Sequence, residues 1–167
     1  MKLKFNTTIN RKPNYFIERI HKSFRLKEVY MIAGLCPQTH YPVGYNFRAK
    51  DILPPKIHTI RRDIENLWNK GVTIEFWAGD FFKFAPEIPV ISTQKIVIRH
   101  IPLTIPKGEL RPVVWIDDKL YFDMAGINNA EMLELAQNDG FDTIEDFFKY
   151  FDKDYDGKII HWTAKKY

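Results

Sequence analysis

Lys56, His58, Thr59, Arg61 and Arg62 place an amine, an imidazole, a hydroxyl and two guanidiniums within seven consecutive residues. Such a set can grip phosphate through bidentate hydrogen bonds, supply a base or a cation, and offer a nucleophilic hydroxyl. Pro54 and Pro55 forbid a helix running into the segment, and Gly71 followed by Val72-Thr73-Ile74-Glu75-Phe76 opens a strand pattern behind it. The polar groups therefore stand at a junction between ordered elements, where binding and catalytic groups concentrate. Residues three apart converge in a helical turn and diverge in a strand, so Lys56 and Thr59 meet only if the chain turns after Pro55 or wraps a pocket edge.

Charge is divided along the chain. Residues 1–63 carry a balance of +9 and residues 64–167 a balance of −5, which the net charge of +4 conceals. Within the second part, residues 117–156 hold 12 acids against Lys119, Lys149 and Lys153. A basic face suits a polyanion such as RNA or DNA, through steering and counterion release. Equally, the two blocks can attract each other within the fold, or the acidic part can dock a basic protein partner.

At 167 residues with 45% hydrophobic and 15% aromatic content, the chain reads as one folded domain over 1–167. Cys36 is the single cysteine, which excludes an internal disulfide and a multi-cysteine zinc site. The N-terminus lacks the apolar run of a signal peptide and no segment approaches a membrane span, so a cytoplasmic protein without membrane contact is expected. Neither a glycine-rich phosphate loop nor a zinc-spaced histidine pair is present, and no cofactor is implied.

Periodicity supplies the elements that must position the polar segment. Residues 14–25 read as a helix with Phe16, Ile17, Ile20 and Phe24 inward and Glu18, Arg19, Lys22 and Arg25 toward water. Residues 29–55, broken by Pro37, Pro42, Gly44, Pro54 and Pro55, read as a long loop. Strands are expected over 72–77, 95–101, 113–116, 120–122 and 158–162, with Asp117-Asp118-Lys119 as a hairpin turn. Asn128 with Glu131 caps one expected helix, ended by Gly140, and Asp142 with Glu145 caps another. Strands with helices at their edge fit an α+β fold containing a partly open barrel.

The run Lys56-x-x-Thr59-Ile60-Arg61-x-Asp63, then Trp68-x-x-Gly71-x-x-Ile74-x-Phe76, resembles the signature of the ASCH domain family. Residues 12–20, 139–148 and 158–162 are similar to a small bacterial and phage branch of it. The resemblance implies a PUA-like β-barrel, binding of RNA or modified nucleobases, and, by analogy with one branch, hydrolysis of the amide of acetylated cytidine. By motif position the lysine falls on Lys56 and the threonine on Thr59. The carboxylate falls on Asp139, with Glu145 as the weaker alternative. Asp139 is one methylene shorter than the family's glutamate, and Ile57 replaces a hydroxyl residue.

These readings give Lys56, Thr59 and Asp139 as catalytic candidates, and Lys56, His58, Thr59, Arg61, Arg62 and Trp77 as nucleic-acid contacts. RNA or a modified nucleoside is the expected ligand, with DNA, a ribonuclease activity and the oligomeric state left open. Asp139 belongs to the last turn of an expected helix, where the macrodipole disfavours a carboxylate by roughly 0.3–1 kcal/mol. That conflict marks it, although Asn138-Asp139-Gly140 is also ordinary helix-ending chemistry. Trp68 and Trp77, as large aromatics beside strand patterns, have burial as the alternative to stacking. Asp152, Asp154 and Asp156 match part of a calcium loop, but Thr163 stands where that loop needs glutamate.

Overall fold

The computed structural model describes residues 1–9, 12–24, 53–103, 108–126 and 128–167. In chain order the described elements are β1 (Lys2–Phe5), β2 (Thr8–Ile9), β3 (Lys12–Pro13), α1 (Phe16–Ser23), β4 (His58–Arg61), β5 (Thr73–Ala78), β6 (Phe82–Lys83), β7 (Ile88–Pro89), β8 (Ser92–Pro102), β9 (Leu110–Ile116), β10 (Lys119–Asp123), α2 (Asn129–Asn138), α3 (Ile144–Tyr150) and β11 (Tyr155–His161). The loop expected over 29–55 lies outside the described residues except for Leu53, Pro54 and Pro55.

Alternating burial organises two main sheets. In β5, Ile74, Phe76 and Ala78 point inward; β1 lies parallel to it with Leu3 and Phe5 inward, and β6 and β7 pair with it antiparallel. The second sheet has the order β10-β9-β8-β11-β4, all antiparallel. Successive strand residues face opposite ways. In β11 this sends Ile160 into a core with Phe5, Ile20, Phe76 and Trp162, and Ile159 into one with Ile60, Ile98, Leu135 and Phe147. The β4–β11 ladder is thus a wall between two apolar clusters. The architecture is α+β, and among the described residues the sheets do not close into a barrel.

Several expected details are corrected. Helix α1 starts at Phe16 because Asn14 Oδ1 accepts the Phe16 N–H at 3.0 Å and Tyr15 takes a left-handed φ of 55°. Glu18 and Arg19, expected in water, are buried, since α1 is covered on a second side by the chain at Lys56 and by Asp142. Asn128 does occupy the position before α2, yet its amide donates to Tyr121 O at 2.8 Å and caps nothing. Helix α3 is capped by Thr143, whose hydroxyl accepts the Asp146 N–H at 3.1 Å, because Asp142 is engaged by Arg19. The Asp117-Asp118 turn forms as expected, both residues having positive φ.

Candidate functional site

Two main-chain bonds hold the start of the polar segment. The Lys56 N–H donates to Arg19 O at 3.0 Å and the Ile57 N–H to Asn138 O at 2.9 Å, strapping these residues between α1 and the end of α2 before β4 begins. Lys56 precedes the strand and escapes its alternation, so its side chain turns under the helix end. There its ammonium donates to the main-chain carbonyl of Asp139 and, at 2.5 Å, to Asp139 Oδ1. The same Oδ1 accepts the Ile60 N–H at 3.3 Å. A cation at a helix C-terminus complements the macrodipole, which resolves the misplacement of Asp139 noted in the sequence.

Aromatic rings close the pair. Lys56 Nζ is 4.6 Å from the Phe16 ring centre and 5.9 Å from that of Phe5, within reach of cation–π attraction. Gly140, at φ +97°, keeps the space open: a Cβ there would stand 2.6 Å from Phe16 Cε1 and 3.2 Å from Lys56 Cδ. Lys56 is 1% and Asp139 4% exposed. Burial pushes the Lys56 amine down to about 8 against the pull of the Asp139 charge, with Arg61 and Arg19 adding to the depression. Burial likewise pushes the Asp139 carboxyl upward, against Lys56. The amine moving down and the carboxyl moving up narrow the gap in acidity between them, the direction that favours passing a proton across the pair.

Strand β4 sorts the remaining candidates by face. Thr59 and Arg61 share the face opposite Ile60, and Thr59, 3% exposed, stands across from Ile160 of β11. The Arg61 guanidinium carbon is 5.2 Å from the centre of the Phe5 ring, and its Nη2 donates to Lys4 O at 2.9 Å. Lys56 and Arg61 therefore flank one ring. Farther along, Arg61 and Arg62 enter a cavity of about 260 Å³ with Tyr150, Asp152, Lys153 and Tyr155. Exposed Arg62 lies 5.2 Å over the Tyr155 ring, whose hydroxyl burial pushes up to about 12.

Other candidates lie elsewhere. His58 faces away from Thr59, its Nδ1 3.2 Å from the Tyr167 hydroxyl and its ring 5.5 Å from that of His161. Trp77 is half-buried on the outer face of β5, beneath the Lys2 amine at 4.1 Å, whereas Trp68 is a core residue. Glu145 lies exposed in the first turn of α3. Asp63 joins Lys158 at 2.7 Å and accepts the Leu67 and Trp68 N–H groups, so it shapes the turn and does not pair with Arg61. Asp154 and Asp156 both engage Arg99. No cluster of three metal-ligating side chains occurs among the described residues.

Arg19, Phe5, Phe16 and Asp142 belong to the site and were missed as functional residues. A signal existed for Arg19: it follows Phe16 by three positions and so shares its helix face. The arrangement offers a buried amine–carboxyl pair that can pass a proton, a hydroxyl on the adjoining strand, and a cationic, aromatic cavity next to it. Comparison of the chain with protein-family models, curated proteins and solved structures gave no match. No helix among the described residues is long and apolar enough to cross a membrane.

Proposed function

We propose that this protein binds RNA or a modified nucleoside, with Arg61 and Arg62 taking phosphate and Tyr155 offering a stacking surface. The observation that carries this reading is the position of Arg61, which touches the Phe5 ring beside Lys56 and also lines the 260 Å³ cavity with Arg62 and Tyr155. Guanidiniums beside aromatic rings suit a polyanion carrying flat bases. The motif resemblance to the ASCH family, and with it a PUA-like relationship, supports the same reading.

A second reading makes the inner end an amidohydrolase of an acylated cytidine. It is favoured by the Lys56–Asp139 contact of 2.5 Å, which joins the lysine and carboxylate of the motif across 83 residues. In that role neutral Lys56 takes the proton from the Thr59 hydroxyl as its oxygen adds to the acetyl carbonyl, the proton passes by way of Asp139 to the cytidine nitrogen as the C–N bond breaks, and water then frees acetate from Thr59 by the same relay. A panel of nucleosides, acetylated cytidine and short RNAs, scored for binding and turnover, tests both readings. Binding weakened in Arg62→Ala supports the first, turnover by the wild type that is lost in Thr59→Val with the fold retained by circular dichroism supports the second, and neither binding nor turnover rejects both.

A further inference from the structure

Buried guanidiniums in folded proteins have their N–H groups paired, and exceptions call for a partner. Arg19 is such an exception. It is 2% exposed, its Nη2 bonds Asp142, and its Nε and Nη1 have no hydrogen-bond partner. Arg61 repeats the pattern, with Nη2 on Lys4 O and a buried, unpartnered Nε. Lys56 stands in the field of both guanidiniums, and its main-chain N–H is fixed to Arg19 O.

Three cations, Arg19, Lys56 and Arg61, thus gather about two carboxylates, Asp139 and Asp142. At least three guanidinium N–H donors, on Arg19 Nε and Nη1 and on Arg61 Nε, are left over. Asp142, which anchors Arg19, has a side chain 62% exposed, so the Arg19 guanidinium lies just beneath the surface.

We propose that Arg19, together with Arg61, seats a phosphate group, so that the ligand of this site is a phosphorylated nucleotide and not a free nucleoside. This rests on the nucleobase-binding reading above and narrows its substrate class. A phosphate supplies three or four acceptor oxygens, enough to meet the unpaired donors of both arginines. Asp142 fixes the Arg19 fork in place by occupying one nitrogen while leaving two for the ligand.

Isothermal titration of the full chain with cytidine, cytidine 5′-monophosphate and inorganic phosphate tests the proposal. We expect the nucleotide to bind at least tenfold more tightly than the nucleoside, phosphate to compete with it, and the ratio to fall to about one in Arg19→Gln. Arg19→Lys, which keeps the buried charge but loses the fork, should retain part of the preference. If Arg19→Gln fails to fold, the arginine Nε–H resonances of the wild type decide: the one absent from Arg19→Lys must shift when phosphate is added. Equal affinity for nucleoside and nucleotide overturns the phosphate seat and leaves base recognition standing. Phosphate binding without any nucleotide preference over phosphate itself supports the seat and overturns base recognition. No binding of any of the three overturns both.

Discussion

Lys56 Nζ meets Asp139 Oδ1 at 2.5 Å at the C-terminal end of α2, with both side chains buried. One ammonium there satisfies a side-chain carboxylate and a helix-terminal carbonyl together. Replacing either member alone leaves a buried charge or a buried donor with too few partners, which is strongly destabilising. Asp139→Ala should therefore lower stability by about 3–5 kcal/mol. Chemical denaturation of the variant and the wild type measures it.

The same pair sets a pH dependence. The amine titrates near 8 in the folded protein and at 10.5 when unfolded, so between those values the unfolded chain binds the extra proton. Stability rises with pH through that window and the contribution is lost as pH falls to 8. Relative to Lys56→Met/Asp139→Asn, the wild type should gain about 3 kcal/mol between pH 8 and 10.5. Urea unfolding midpoints over this range provide the comparison, and parallel curves contradict a depressed lysine.

Gly140 cannot carry a side chain. Its φ of +97° disfavours a Cβ, and the added atom collides with Phe16 and crowds Lys56. Gly140→Ala should cost about 2–4 kcal/mol, from backbone strain and overpacking together. A loss much under 1 kcal/mol in equilibrium unfolding rejects the close approach of α1 to this turn.

Helix α3 offers a test of which residue caps it. Thr143→Ala should cost about 1 kcal/mol, while Glu145→Gln changes stability by under about 0.5 kcal/mol. The reverse ranking restores the Asp142–Glu145 capping box.

Acid sensitivity should come largely from the histidine pair behind β4. Burial, with Lys166 adding to it, drives His161 down to about 4, and burial with Lys56 and His161 drives His58 well below its usual value. The unfolded chain then binds more protons below pH 6.5, and stability falls as pH drops toward 4. His161→Phe, which keeps the ring contacts with His58 and Tyr167, should remove about 3 kcal/mol of that fall. Thermal melts between pH 4 and 7 measure the slope.

The sheet was largely readable because strands with one buried face must alternate, as Ile74, Phe76 and Ala78 do. Strand β4 was not, since His58-Thr59-Ile60-Arg61 is only four residues long and buries polar groups on both faces. Arg19 was assigned to water because helical periodicity assumes a single covered face, and α1 has two. Asp142 and Thr143 are both competent caps by type. Only the tertiary pairing of Asp142 with Arg19 decides between them. Asp139 was reached through the motif resemblance, and its unfavourable place near a helix end added a hint of a cation the sequence could not locate alone. Lys56 and Thr59, expected to contact a nucleic acid, are buried instead, and the exposed guanidinium is Arg62.

Fluorescence-anisotropy titration of a labelled short single-stranded RNA, at 50 and 200 mM salt, bears most directly on the proposed cationic, aromatic cavity. The wild type should bind with affinity that falls as salt rises, and Arg61→Ala/Arg62→Ala should bind more weakly with a log–log salt slope reduced by about 1.4, or about 0.7 per lost contact. Identical affinity and slope for the two proteins, or no binding by the wild type at either salt, contradicts the account.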